Sequence, residues 1–257
     1  MDAQELLQKL TGGGIVQNAV FSELAWPTDE FQSLRFTECL FEKINFLDAC
    51  LSGASFVRCQ FRRCRFAHAD LQDAEFEDVE FVDRTEGPSG CHFLISDLRG
   101  SKFVRCDLSL CVIERSELHS ITMEDCNLRG VRLERVNFSR AYSRKIISTR
   151  ATFRGCNLEL ADLADVRLPD GDFSRCRFRE ADLSGADLTN ADLGDADLYQ
   201  ANLMGAKLAG ANLRGADISG LDLRELGSFT GLKINPDQAL TLLAGAGINV
   251  ARPTATE

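Results

Sequence analysis

Residues 181–217 read ADLSGADLTNADLGDADLYQANLMGAKLAGANLRGAD. A leucine or isoleucine stands at every fifth position from Leu183 to Ile218, and an alanine precedes each of them by two. Self-similarity at a fixed period is the first signal to read, because it decides the fold before local propensity does. A five-residue period cannot keep one helix face, since successive leucines rotate by about 140° at 3.6 residues per turn. In extended chain, residues two apart share a face, so each Ala-x-Leu presents both side chains together. The odd period would then send every second leucine to water unless the chain bends once per repeat. A coil that keeps turning with Ala and Leu inside resolves the conflict, so the expected class is all-β, a solenoid.

The frame extends to both sides. Apolar centres run without a gap through Phe21, Trp26, Phe31, Phe36, Phe41, Phe46, Leu51, Phe56, Phe61, Phe66, Leu71, Phe76 and Phe81. A second frame runs from Phe93 to Leu223, and only Ser143 and Ser148 fail to fill their slots with an apolar residue. Of 17 phenylalanines, all but Phe229 fall on centres, which reads them as core and not as base-stacking platforms. The same ruler sorts the 10 cysteines. Cys39, Cys59, Cys64, Cys91, Cys106, Cys111, Cys126, Cys156 and Cys176 stand two before a centre, where later repeats carry alanine, and Cys50 alone does not. Cysteine there is a small buried apolar residue, and reduced core pairs are expected.

Two stretches depart from the ruler. Phe81 and Phe93 are twelve apart, two more than two repeats, and the excess lies in Val82–His92, VDRTEGPSGCH, a loop by its Gly, Pro and Ser content. In Ala141–Arg150, AYSRKIISTR, both centres are serine while Ala141 and Ile146 keep inward slots, which predicts an unbroken but weakened wall. A basic run surrounds it: Arg129, Arg132, Arg135, Arg140, Arg144, Lys145 and Arg150, opposed by Glu134.

The ends do not repeat. Residues 3–10, AQELLQKL, read as a short helix closed by three glycines, with residues 1–18 as an N-terminal cap. The solenoid is expected over 19–227. Asn235-Pro236-Asp237 then starts a helix that carries Leu240, Leu242 and Leu243, and 228–250 is read as a helix and strand suited to dimerisation. Residues 251–257 read as a disordered tail.

Composition narrows the function. Lys+Arg of 29 against Asp+Glu of 39 leaves −10, which opposes unaided binding to nucleic acid or to an anionic membrane. No apolar run reaches the roughly 18 residues of a membrane span, and MDAQELLQKL lacks a signal peptide's basic start and apolar core, so a cytoplasmic location is expected. His68, His92 and His119 sit at outward positions on separate repeats with no metal-ligand spacing, and there is no phosphate loop or nucleophile elbow. Neither an enzyme nor a bound cofactor is expected. The densest acidic window is Asp70–Glu86, with Asp70, Asp73, Glu75, Glu77, Asp78 and Glu80 running into the loop. Duplex DNA carries one charge per about 1.7 Å, so imitation of DNA would need these carboxylates gathered on particular faces.

These A(D/N)LxG repeats resemble the pentapeptide-repeat family. The resemblance implies a right-handed quadrilateral parallel β-solenoid of about twenty residues per coil, here about ten coils and roughly 48 Å long at the spacing of paired strands, with a short capping helix at each end. Three stretches resemble the quinolone-resistance (Qnr-type) group within it: VDRTEGPSGCHF, AYSRKIISTRATF and LDLRELGSFTGLKINPDQALTLLAGAGINV. That likeness implies a dimeric DNA mimic that binds type II topoisomerase, DNA gyrase or topoisomerase IV. Asp83, Arg84, Glu86 and Pro88 in the first loop and Arg144, Lys145 and Arg150 in the second would meet the enzyme. Leu240, Leu242 and Leu243 would form the dimer seam. With four repeats per coil, both loops are expected along one edge of the rod. The alternative is a scaffold or adaptor, for example one serving a secretion system, with no topoisomerase contact.

Overall fold

The computed structural model describes residues 14–27, 34–85, 87–141, 147–245, 247–248 and 250. The helix expected at 3–10, Phe31 and the tail 251–257 lie outside them. Many repeats are three-residue extended segments, the centre buried and the flanks turned outward, as in Gln60–Arg62 around Phe61. Others, including those from Asn157 to Asp217, keep a single bridging residue before a buried centre and a tight turn. The bend follows two residues after the centre, where backbone turns left-handed, for example at Lys43 (φ 53) and Arg63 (φ 52). Such a bend costs least at Gly, Asn or Asp.

Successive repeats enter four ladders in turn, all paired in parallel. The first is a seven-stranded sheet of Ile15–Gln17, Arg35–Thr37, Ser55–Val57, Glu75–Glu77, Lys102–Val104, Ile121–Glu124 and Ala151–Arg154. The second begins with Val20–Ser22, Leu40–Glu42 and Gln60–Arg62, then continues as single-residue bridges through Glu80, Asp107 and Asn127. Asn45–Leu47, Arg65–Ala67, His92–Leu94, Val112–Glu114 and Arg132–Glu134 form the third. Bridges from Cys50 through Asp70, Asp97 and Glu117 to Asn137 form the fourth. Pairing starts at Ile15, because Val16 serves as a centre opposite Phe36, and it persists through Ser228 and Lys233. The solenoid thus overruns the expected 19–227 at both ends.

Parallel pairing in register stacks like on like. Phe41 and Phe61 lie 4.6 Å apart, Phe46 and Phe66 4.6 Å, and Phe56 and Phe76 5.0 Å, all stacked with nearly parallel rings. Above Phe103 leucine, isoleucine and methionine mix into these columns, with Phe153 stacked on Phe173 at 5.2 Å. The consensus aspartates serve the bends: Asp182 Oδ1 accepts the Ser184 amide at 2.9 Å. One coil on, Asn202 donates to the same oxygen at 3.0 Å, which separates carboxylates that would otherwise stack.

The nine in-frame cysteines are buried and Cys50 is half-buried, all as thiols. Burial pushes the Cys91 and Cys111 thiols up, away from the reactive thiolate. A charged, bulky thiol reagent is therefore expected to modify at most Cys50 in the native protein and all ten after denaturation. Rapid native modification of several thiols, read by mass, would contradict the packing.

The helix Pro236–Gly245 closes the C-terminal end. Gln238 is buried, and its Nε2 donates to the carbonyls of Leu213 (2.6 Å) and Ala216 (2.8 Å), while its Oε1 accepts the Asn235 amide (2.7 Å). It thereby satisfies carbonyls that the last coil leaves without a further coil. No strand follows among the described residues beyond the helix.

Candidate functional site

The first hairpin is built where the second ladder hands over to the third. Phe93 stacks on Phe66, whereas the regular coil below stacks Phe66 on Phe46, so seven residues leave the wall. The separation of Phe81 from Phe93 is thus one repeat plus seven, in place of the two repeats plus two read from spacing. Val82–Asp83 and Ser89–Gly90 pair antiparallel as its stem. Asp83 is only 2% exposed. Its Oδ1 accepts the Thr85 hydroxyl (2.7 Å) and amide (2.9 Å), and its Oδ2 accepts Arg63 Nε (2.6 Å). Thr85, and then Arg63, hold its carboxyl below the usual carboxylate range. Arg84 is exposed but pairs with Asp107 at 2.5 Å. Asp83 and Arg84 therefore tie the stem to the wall, and Thr85, Gly87 and Pro88 form the exposed tip. Glu86 lies outside the described residues.

The second irregularity is also a hairpin. Ser139–Ala141 pairs antiparallel with Ile147–Thr149, and Met123 stacks on Phe153, so ten residues stand out of the coil. The expected unbroken wall is corrected: Ala141 is exposed and Ser148 pairs with Arg140, so Ser148 is not a centre, while Ser143 lies outside the described residues. Ile146, Arg144 and Lys145 lie outside the described residues; Arg150 is exposed. His119, read as outward, is only 4% exposed. Burial and the nearby Arg140 and Arg150 charges lower its pKa.

The two hairpins do not share an edge. The first leaves between the second and third ladders, and the second leaves between the fourth and the first, after Asn137 and before Phe153. On a four-sided coil these corners are diagonally opposed, which overturns the single-edge expectation.

The acidic window wraps the rod instead of running along it. Asp70 belongs to the fourth ladder, Glu75 and Glu77 to the first, and Glu80 to the second, with Asp73 and Asp78 at the bends between. Asp70 Oδ1 accepts the Gln72 amide at 3.0 Å, and Arg105 binds both Asp78 (2.7 Å) and Glu77 (2.6 Å). Along the corner column, charge alternates through Glu38, Arg58, Asp78 and Arg105, with Arg58 to Glu38 at 2.8 Å. The partners Arg63, Asp107 and Arg105 were not singled out from sequence; the signal was their one-coil offset from Asp83, Arg84 and Asp78.

At the C-terminus, Leu242 is 8% exposed and packs on the core, while Leu240 (43%) and Leu243 (36%) face outward, as do Phe229 and Ile248. Among the described residues no three His, Cys, Asp or Glu side chains are placed to hold a metal ion, and no helix is long and apolar enough to cross a membrane.

A family model described as "Pentapeptide repeats" matches in 8 copies, over residues 30–66, 44–82, 91–130, 149–180 and 181–220. No curated protein matches the chain. Among solved structures, the full-length plasmid-mediated fluoroquinolone-resistance protein QnrB1 aligns with TM-score 0.73 at 22% identity, covering 91% of this chain and 100% of that one. HetL, a pentapeptide-repeat protein involved in heterocyst differentiation regulation in the cyanobacterium Nostoc, aligns with TM-score 0.56 at 20% identity, covering 91% and 94%.

Proposed function

The chain belongs to the pentapeptide-repeat family, and from that premise we propose a non-catalytic, DNA-mimicking protein that binds a type II topoisomerase and alters its response to inhibitors such as quinolones. The observation that carries the reading is the pair of stem-anchored hairpins standing off an otherwise regular solenoid. Support comes also from a fold that spans the whole of a fluoroquinolone-resistance protein. In this reading Pro88, Arg84 and Glu86 at the first hairpin and Arg144, Lys145 and Arg150 at the second meet the enzyme from opposite corners. Asp83 acts through the stem. The acidic girdle from Asp70 to Glu80 competes for surface that DNA would occupy.

The test is gyrase supercoiling in the presence of ciprofloxacin. Rescue or direct inhibition is expected at micromolar protein, and removal of residues 84–89 should abolish rescue while leaving the fold intact. Neither rescue nor inhibition would favour the second reading, a scaffold or adaptor. That reading draws on the circumferential placing of the acids, two of which, Glu77 and Asp78, are ion-paired with Arg105.

A homodimer through Leu240 and Leu243 belongs to the same proposal. Sedimentation should give a dimer for the native chain and a monomer for Leu243→Asp. Leu242→Asp should instead lower Tm, because that side chain seals the cap. A monomeric native chain at micromolar concentration would end the dimer proposal.

A further inference from the structure

Exposed apolar side chains are not spread evenly around the rod. Among the described residues between Phe21 and Ser228, the large ones are Leu47, Ile95, Leu110, Leu160, Tyr199 and Met204. Leu47 and Met204 lie on the third ladder, Ile95 on the corner after it, and Leu110 and Leu160 on the corner before it. Tyr199, on the second face, stands one residue short of that last corner, and the first and fourth faces carry none. Backbone conformation marks the same side. Of the non-glycine residues with positive φ, only Ile95 (φ 51), Leu110 (φ 59) and Leu160 (φ 58) are apolar. Left-handed backbone is costly for a bulky side chain, and because all three are exposed, burial within the chain offsets little of that cost. The first hairpin leaves this face open, since its Arg84 is drawn to Asp107 on the second ladder.

Charge is graded along the same face. From Phe46 to Leu203 the third ladder has eight rungs, with Ile113 and Leu133 at the middle. On the face and its two corners, the first four rungs carry Lys43, Arg63, Arg65 and Arg115 against Asp48, Asp83 and Glu114. The four after them carry Arg132 and Arg135 against Glu134, Asp162, Asp165, Glu180 and Asp182. The first half is slightly basic and the second distinctly acidic. Arg65 in the one, and Asp162, Asp165, Glu180 and Asp182 in the other, make no ion pair among the described residues.

We propose that this face seats a second copy of the chain, laid antiparallel against it about a twofold axis. A twofold contact sets one patch against itself, and an axis lying across the face between the Ile113 and Leu133 rungs pairs rungs outward from the middle. Leu47 then meets Met204 of the second copy, Leu94 meets Ala164, and Arg65 comes opposite Glu180 and Asp182. Beside the axis, Leu110 leans along its corner so far that a Cβ on Gly130 would lie 2.9 Å from its Cδ2. The side chain that Gly130 lacks leaves room there for Leu110 of the second copy. Opposed charge fixes the orientation, because a parallel copy would set the acidic half on itself. Eight rungs at strand spacing and a face about 12 Å wide give on the order of 450 Å² from each copy. That is below the standard interface, so the contact is a weak one. It lies apart from the C-terminal helix and stands whether or not the topoisomerase reading does.

Sedimentation of the full chain carrying Leu243→Asp tests it, because that substitution removes the seam proposed at the C-terminal helix and leaves this face unchanged. The protein should be monomeric at micromolar concentration and dimerise with a Kd of about 100 µM, to within about fivefold. A monomer up to about 1 mM overturns the proposal and leaves the face to a different partner. In the same background Leu110→Asn should weaken association at least about tenfold while Tm stays level or rises, because asparagine accepts left-handed backbone. Arg65→Glu and Glu180→Lys should each weaken it at least about tenfold, and the two together should recover to within about threefold of the parent. Association unchanged by Leu110→Asn, or a double variant no tighter than either single one, overturns the antiparallel contact.

Discussion

Phe61→Ala is expected to destabilise the protein by about 3–5 kcal/mol. The ring is fully buried, stacked on Phe41 at 4.6 Å and Phe81 at 5.0 Å, and met edge-on by Phe56 at 5.4 Å. Collapse into the vacated space is opposed above and below, because backbone rungs hold the coils at strand spacing, with the Phe61 amide on Glu80 at 2.7 Å and the Gln60 amide on Cys39 at 2.9 Å. Since each coil touches only its neighbours, the loss should concentrate locally. Urea denaturation would report the total, and amide exchange should show the largest loss of protection between residues 40 and 80. Phe229→Ala is the control: that ring is 45% exposed, and a change within about 0.5 kcal/mol is expected. A loss below about 1 kcal/mol for Phe61→Ala would show that the rings repack, contrary to a close-packed column.

Gly90→Ala is expected to lower stability by about 1–3 kcal/mol and to disable the first hairpin without touching its tip. Gly90 ends the stem where the chain re-enters the wall. A Cβ there would lie 2.5 Å from the Leu110 carbonyl oxygen and closer still to the Cys111 amide nitrogen. Both are backbone atoms of the next coil, so neither can swing aside as a side chain would. The stem must shift, and Asp83 loses its registry with Arg63. Thermal denaturation, together with limited proteolysis at Arg84, would read the effect. Native Tm and native resistance to cleavage would show that the two coils yield more readily than their spacing implies. In the topoisomerase assay the same variant should lose rescue, although none of the proposed contact residues is changed.

The comparison of sequence with structure turns on what a period can encode. Ala181–Asp217 contains its own geometry: a five-residue period with paired inward positions admits only a chain that bends once per repeat, and that requirement is local. From it follow the burial of fifteen phenylalanines among the described residues and of nine cysteines. The second hairpin escaped because ten residues are two whole periods. An insertion of that length leaves the frame intact, so Ser148 counted as a poorly filled slot instead of a residue outside the wall. The separation of twelve from Phe81 to Phe93 divides as readily into two repeats and two as into one repeat and seven, and only the stacking of Phe93 on Phe66 decides between them.

The same limit governs the candidate site. Asp83 and Pro88 are both loop residues in the sequence, yet the charged one is buried on Arg63 and the other stands at the tip. Leu242 and Leu243 are adjacent, but one step along a helix is about 100°, which turns one to the core and the other to solvent. The sequence by itself determined the coil, its frame and its core, because those depend on spacing within a few residues. Which corner each hairpin leaves and which carboxylates are spent on arginines one coil away were decided by tertiary structure alone, since each depends on what lies across the coil boundary.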